Sequence, residues 1–166
     1  MLNLLAGALI TLAGILQVTL AGRITLLQAP ADLVLLTLLA WNFQESIEAH
    51  WRWGLLGGLI LGLSSALPFW VLLLEYSLVG LMIMLLRKRV IQIPVLTLFL
   101  ATMLGTILID GISLSYLWLS ASPIDFQEAV NFVVVPHIVI NMLLVLPASV
   151  LILEISKIFL PEELRA

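Results

Sequence analysis

The chain contains no cysteine, only two histidines, and few charged residues, which make up 10% of the total. Without cysteine it can form no disulfide bond, no thiolate metal site and no thiol nucleophile. His50 and His137 lie far apart in sequence, and this spacing does not predict a metal site. The net charge is −3 and no basic stripe is present, which excludes a nucleic-acid partner. We expect neither a metal nor a cofactor.

Apolar residues are the feature that the chain has in excess. They make up 63% of the sequence, and the mean hydropathy is +1.23. A soluble domain of this size could not hide so much apolar surface from water, so the composition predicts an integral membrane protein. The N-terminus has no basic segment before its long apolar run, which predicts an uncleaved first span.

The lengths of the apolar runs predict an all-α fold with six membrane-spanning helices. A span needs about 20 apolar residues, and the run from Trp53 to Leu86 is too long for one. We expect it to fold back at the Ser64–Pro68 breaker. An amphipathic segment at 123–135 is predicted at the outer membrane interface. The predicted spans cover residues 2–20, 24–44, 54–66, 68–86, 92–120 and 136–159.

The basic residues predict the orientation of these spans. With six spans, Arg23 falls on one side of the membrane and the other basic residues fall on the opposite side. Because Lys and Arg are enriched in cytoplasmic loops, this side is predicted to be cytoplasmic, together with both termini. The basic side carries Arg52, the loop Arg87, Lys88 and Arg89, then Lys157 and Arg165.

Small residues recur at every fourth position in the third predicted span. They are Gly54, Gly58, Gly62 and Ala66. Small residues at this spacing allow the backbones of two membrane helices to approach closely. Two interpretations follow: a groove for the helix of a partner protein, or a contact between two helices of this chain.

Polar residues form a second stripe, on the fifth predicted span. Its members are Thr102, Thr106, Asp110 and Ser113, and Glu75 interrupts the fourth span. An ionisable residue within a membrane span is a candidate functional residue. Asp110 has a second interpretation, since it falls near the outer boundary of the membrane and water could solvate it there. Glu75 is expected either to face the bundle in its protonated form or to be satisfied by a partner chain.

Sequence signatures of catalysis are not evident. We find no nucleophile–base pair and no phosphate-binding glycine loop, so no catalytic residue is predicted. Transport by the chain alone is also poorly supported, because it has no repeated pair of broken helices. Asn131 and Asn141 are expected to bridge helices. His137 is expected to be a structural hydrogen-bond donor rather than a proton relay, because no second titratable group lies one turn away.

Several motifs follow one another along nearly the whole chain, and their order and spacing resemble those of a known family. That family is MreD, the rod shape-determining membrane proteins of bacteria. The motifs are Pro30-Ala31-Asp32-Leu33, Trp41, the glycine-rich span from Trp53 to Leu63, Ser65-Ala66-Leu67-Pro68, Val79-Gly80, Arg87-Lys88-Arg89, and the segment from Pro136 to Asn141.

The chain departs from the family pattern at three positions. Many relatives have Asp where this chain has Gly62, and Gly where it has Ala66 and Trp70. A role of that acid in the family therefore does not transfer to this chain, and the glycine stripe is partly its own.

The resemblance implies a fold similar to the substrate-binding (S) components of energy-coupling-factor (ECF) transporters, located in the bacterial inner membrane among its lipids. It also implies a non-catalytic scaffold that binds MreC, a single-span protein. The other partners implied are a SEDS glycosyltransferase, a class B penicillin-binding protein and, indirectly, the MreB cytoskeleton. Together they support lateral peptidoglycan synthesis and rod cell shape.

Two other functions remain open at this point. One is a vitamin-binding S component of an ECF-type transporter. Such subunits resemble one another in an Ala-x-x-x-Ala contact on the first helix, and the segment Ala6–Ala13 lacks this pair. A buried cavity with several polar side chains would favour this function. The other is handling of a lipid intermediate, with Asp110 and its threonines facing a groove.

Overall fold

The computed structural model describes residues 2–20, 30–44, 51–89, 94–120 and 125–159. The described residues form helices joined by turns, with no strand among them. Arg23 and Arg165, which belong to the predicted charge asymmetry, lie outside this part of the chain. The helices are α1 (Leu2–Leu20), α2 (Leu33–Asn42), α3 (Arg52–Gly62), α4 (Phe69–Arg89), α5 (Pro94–Leu119), α6 (Phe126–Ala129), a π-helical turn (Val130–Val134) and α7 (Val135–Phe159).

Three helical segments are long and apolar enough to cross a membrane. They are Phe69–Arg87, Val95–Leu119 and Phe126–Phe159. α1 and α2 are also apolar but shorter. The protein is therefore all-helical in its described part, and its long helices indicate a membrane protein, as the hydropathy predicts.

The second helix is the centre of the bundle. α2 has ten residues, about 15 Å at helical rise, and nine of them are buried. It contacts α1, α3, α4, α5 and α7. A helix that is apolar on all sides is stable only when other helices surround it. Within the predicted span 24–44, the described helix begins at Leu33, after Pro30 and the N-cap Asp32. Trp41 lies in the interior, with 1% of its surface exposed.

α3 and α4 form an antiparallel hairpin. Gly62, at the end of α3, lies against Phe69, at the start of α4, and Gly80 lies against Trp51. The turn between them contains the predicted breaker, where the Leu67 N–H donates to the Ser65 hydroxyl over 3.1 Å. The predicted helix bounds of 54–66 and 68–86 are thus displaced by a few residues, and α4 continues through Arg89. Lys88 and Arg89 belong to this helix and not to a loop.

The two ends of the bundle differ in chemistry. Arg52 begins α3, Arg87 lies near the end of α4, and Lys157 is in the last turn of α7. Their helices run so that these three residues share one end, which we call the basic end. Arg87 connects the end of α4 to the end of α2, because its guanidinium donates to the backbone carbonyls of Asn42 (2.7 Å) and Gln44 (2.9 Å). A cation is favourable there, at the C-terminus of α2.

The last helical segment is continuous from Phe126 to Phe159. The amphipathic segment predicted at 123–135 and the predicted span at 136–159 are therefore not separate helices in the described residues. Pro136 has no N–H to donate to the carbonyl of Phe132, and the wider π turn at Val130–Val134 lies where that bond would be missing. The helix also continues through Pro147.

Candidate functional site

Asp32 is the N-cap of α2 and the centre of a buried polar cluster. Its Oδ1 accepts a hydrogen bond from the Leu35 N–H over 2.9 Å, which is the usual capping bond. Its Oδ2 accepts from the Tyr76 hydroxyl on α4 over 2.7 Å. Its backbone N–H donates to the Asn141 side chain on α7 over 2.9 Å. Three separate helices therefore meet at one buried residue.

Asn141 extends the cluster to α5. Its Nδ2 donates to the Thr106 hydroxyl over 3.1 Å, and that hydroxyl donates in turn to the carbonyl of Thr102 over 2.9 Å. Asn141 is fully buried. It bridges α2, α5 and α7, so the prediction that Asn141 joins helices is confirmed. Asn131 is exposed on the π turn.

Gln17 contributes the bond from α1. Its Oε1 accepts from the Val34 N–H in the first turn of α2 over 3.0 Å. The first N–H groups of a helix have no partner within the helix. Gln17 and Asp32 together satisfy two of those groups in the buried first turn of α2.

Asp110 and His137 form the second part of the cluster. The His137 Nδ1 lies 2.8 Å from the Asp110 Oδ1. Asp110 is 6% exposed. Its second carboxylate oxygen, Oδ2, is buried and has no hydrogen-bond partner among the residues that the structure describes. Leaving such an acceptor unpaired costs about 1–3 kcal/mol.

Glu75 is satisfied within this chain. It is 1% exposed, and the Ser113 hydroxyl on α5 donates to its Oε1 over 2.6 Å. Glu75 therefore faces the bundle, which is the first of the two expectations. Its hydrogen-bond donor belongs to this chain and not to a partner.

The predicted polar stripe is therefore largely brought together. Thr106, Asp110 and Ser113 each contact another helix of the cluster, as just described. Thr102 is buried, and its hydroxyl donates to the carbonyl of Leu98 over 2.7 Å, within its own helix. Sequence reasoning missed Asp32, Tyr76 and Gln17 as members.

A cavity of about 400 Å³ opens beside this cluster. Asp32, Glu75, Asp110 and His137 line it, together with exposed residues of the turn after α3 such as Ser64. These residues come from the helix ends opposite Arg52, Arg87 and Lys157. We call this end of the bundle the polar end, and the cavity the polar-end cavity.

The glycine stripe is occupied by this chain's own α4. A Cβ atom at Gly58 would lie 2.7 Å from the carbonyl oxygen of Leu72 and 2.8 Å from the Cα of Leu73. A Cβ at Gly54 would overlap the carbonyl oxygen of Tyr76. The interpretation of this stripe as a groove for a partner helix is therefore corrected: small residues are needed here because two backbones of one chain touch. Ala66 lies in the turn, outside α3, and is exposed.

These features define a class of protein: all-helical, with helices of membrane length and a polar cluster buried at one end of the bundle. No family model, no curated protein and no solved structure matches the chain.

Proposed function

We propose that the chain is a member of the MreD family and serves as a non-catalytic membrane scaffold of the bacterial rod complex. In this role it binds MreC and, directly or through MreC, a SEDS glycosyltransferase and a class B penicillin-binding protein. The MreB cytoskeleton is an indirect partner. The complex supports lateral peptidoglycan synthesis and rod shape, and the chain lies in the inner membrane with several spans.

One observation carries this proposal: the motifs on which the resemblance rests hold the fold together. Asp32 belongs to the first motif and Asn141 to the last, 109 residues apart, and they share a buried hydrogen bond. The glycines of the third predicted span pack backbone to backbone on α4. The motifs that carry the resemblance thus also make buried contacts between helices, and this supports the proposal.

We further propose six spans, with the basic end and both termini in the cytoplasm. The antiparallel α3–α4 hairpin and the shared end of Arg52, Arg87 and Lys157 support this orientation, because basic residues accumulate on the cytoplasmic side. The polar-end cavity then faces the outer side of the membrane.

Cysteine labelling in whole cells tests this topology. The chain has no cysteine of its own, so a single cysteine can be placed at an exposed position of either end. Ser64→Cys and Ser120→Cys are expected to react with a membrane-impermeant maleimide in intact cells. Arg52→Cys is expected to react only after permeabilisation, and equal labelling of all three would contradict the proposed orientation.

Co-purification tests the scaffold role. A tagged chain extracted in mild detergent from its native membranes is expected to retain MreC and cell-wall synthases, identified by mass spectrometry. Because the glycine stripe is filled by α4, MreC is expected to bind elsewhere on the chain. Recovery of transporter ATPase subunits without MreC would contradict the scaffold role.

The polar-end cavity favours a second candidate function, the S component of an ECF-type transporter for a vitamin. Its volume of about 400 Å³ suits a small molecule, and several polar side chains line it. Handling of a lipid intermediate would use the same cavity, with Asp110 at its wall. A bound vitamin and ATPase subunits in the purified protein would support the transporter, whereas MreC in their place supports the scaffold.

A further inference from the structure

We propose that the polar-end cavity binds a primary ammonium group, carried by a small amine or by the headgroup of an aminophospholipid. Asp110 is the residue that receives it. This inference concerns the cavity alone and holds for a scaffold as well as for a transporter subunit.

The charges that line the cavity favour a cation. Three carboxyl side chains face it, those of Asp32, Glu75 and Asp110, and none of the described lining residues is Lys or Arg. His137 is the one basic side chain among them, and it is paired with Asp110. An anionic ligand would meet three carboxyl groups and, among the described lining residues, no Lys or Arg to neutralise it, whereas an ammonium complements the carboxyl groups.

Asp110 supplies the specific acceptor. Its side chain is more than nine-tenths buried, its Oδ1 is bonded to His137, and its Oδ2 has no partner in the described part of the chain. The other carboxyl groups are engaged: Asp32 accepts at both oxygens, and Glu75 accepts from Ser113. Buried acceptors without a partner are rare, so the Oδ2 of Asp110 indicates a missing N–H or O–H donor.

The shape and lining of the cavity favour an organic ligand. Apolar side chains such as Leu61, Leu72 and Ile109 stand beside the carboxyl groups, and Ser64 and Val18 are exposed. Within the described residues, no three Asp, Glu or His side chains are placed to hold a metal ion. A primary ammonium with a short carbon chain fits both the acidic and the apolar parts of the lining. Its N–H groups donate to Asp110, and its methylene groups pack on the apolar wall.

The π turn helps to build this site. It lies at Val130–Val134, immediately before the segment that carries His137 and Asn141. A π turn changes the rotation of the residues on either side of it, and such turns are frequent at functional sites. In this chain the helix that follows the π turn carries both His137, which contacts Asp110, and Asn141, which contacts Asp32.

A comparison of ethanolamine with choline tests the inference. Both probes carry one positive charge, but only ethanolamine has N–H donors. Radiolabelled ethanolamine is expected to bind saturably to the purified full-length chain in detergent, and choline at least tenfold more weakly. In nanodiscs, phosphatidylethanolamine is expected to raise the midpoint of thermal unfolding more than phosphatidylcholine. Binding of free ethanolamine indicates a solute, and an effect of the lipid alone indicates a headgroup.

Two variants and one control assign the binding to Asp110 and the cavity. Asp110→Asn is expected to weaken ethanolamine binding at least tenfold, while the exposed Asp125→Asn leaves it unchanged. Val18→Trp places a larger side chain in the cavity wall and is also expected to weaken binding. Each variant is checked for a monodisperse elution profile.

Three results would overturn the proposal: equal binding of choline and ethanolamine, full binding by Asp110→Asn, or no binding and no lipid effect in the wild-type chain. The co-purification of MreC does not depend on any of these measurements, so failure of this inference and failure of the scaffold role are separate outcomes.

Discussion

Replacing Gly54 with alanine is expected to prevent the chain from reaching its folded state. The added methyl group would overlap the carbonyl oxygen of Tyr76 on α4. That atom is backbone and cannot rotate away, so α3 and α4 would have to separate along their contact. Overpacking of a well-packed interior costs typically 1–3 kcal/mol, and we expect Gly54→Ala to exceed about 3 kcal/mol, because the obstacle is a helix backbone. The measurement is the yield and thermal midpoint of the monodisperse protein in detergent.

Gly111→Ala is the matched control for this prediction. Gly111 lies inside α5, and an added Cβ there has no neighbouring atom within 4 Å. Alanine is favoured over glycine in a helix by about 1 kcal/mol, so this variant is expected to be as stable as the wild-type chain or more so. Equal yields and midpoints for Gly54→Ala and the wild type would show that α3 and α4 are not in backbone contact.

Replacing Asp32 with alanine is expected to lower the free energy of unfolding by about 2–4 kcal/mol, from the lost N-cap and from the buried Tyr76 hydroxyl left without its acceptor. Asp32 is 2% exposed, so both bonds are buried in the folded chain. The measurement is unfolding of the purified protein with increasing denaturing detergent.

Asp125→Ala is the control for Asp32→Ala. Asp125 is also an N-cap and accepts from the N–H groups of Gln127 (3.0 Å) and Glu128 (3.3 Å), but it is exposed. We expect its loss to cost about 1 kcal/mol, the usual value for a cap alone. Combining Asp32→Ala with Tyr76→Phe is expected to cost less than the sum of the two single changes, because both remove the same bond. Strict additivity would contradict the Asp32–Tyr76 bond.

The long helices could be predicted from the sequence because their signals are local. Runs of apolar residues closed by Pro68 and by Arg87 predict α4 to within a few residues, and the same applies to α5. The Ser64–Pro68 breaker predicts the α3–α4 hairpin. These features depend on residues that are close together in the chain. Hydrophobic periodicity and helix-breaking residues are signals of such local structure.

The centre of the candidate site could not be predicted, because its partners lie far apart in the sequence. His137 was assigned a structural role from its own helix alone, while its partner Asp110 lies 27 residues away. Asp32 belongs to the first motif of the sequence, but its contacts with Tyr76 and Asn141 depend on how three helices pack. The glycine stripe has two interpretations for the same reason. The spacing predicts that another helix packs closely on α3, but only the structure shows that this helix is α4 of the same chain.

The position of α2 at the centre of the bundle sets an order on the biosynthesis of the chain. Asp32 is translated 109 residues before Asn141, and at about 5–20 residues per second this interval lasts roughly 5–20 s. During this interval, α2 with its polar cap lacks the helix that completes its surroundings. A nascent chain released before α7 would expose that cap, and it would be a substrate for membrane proteases and chaperones. A premature stop codon anywhere before α7 therefore leaves the cap of α2 without its Asn141 partner.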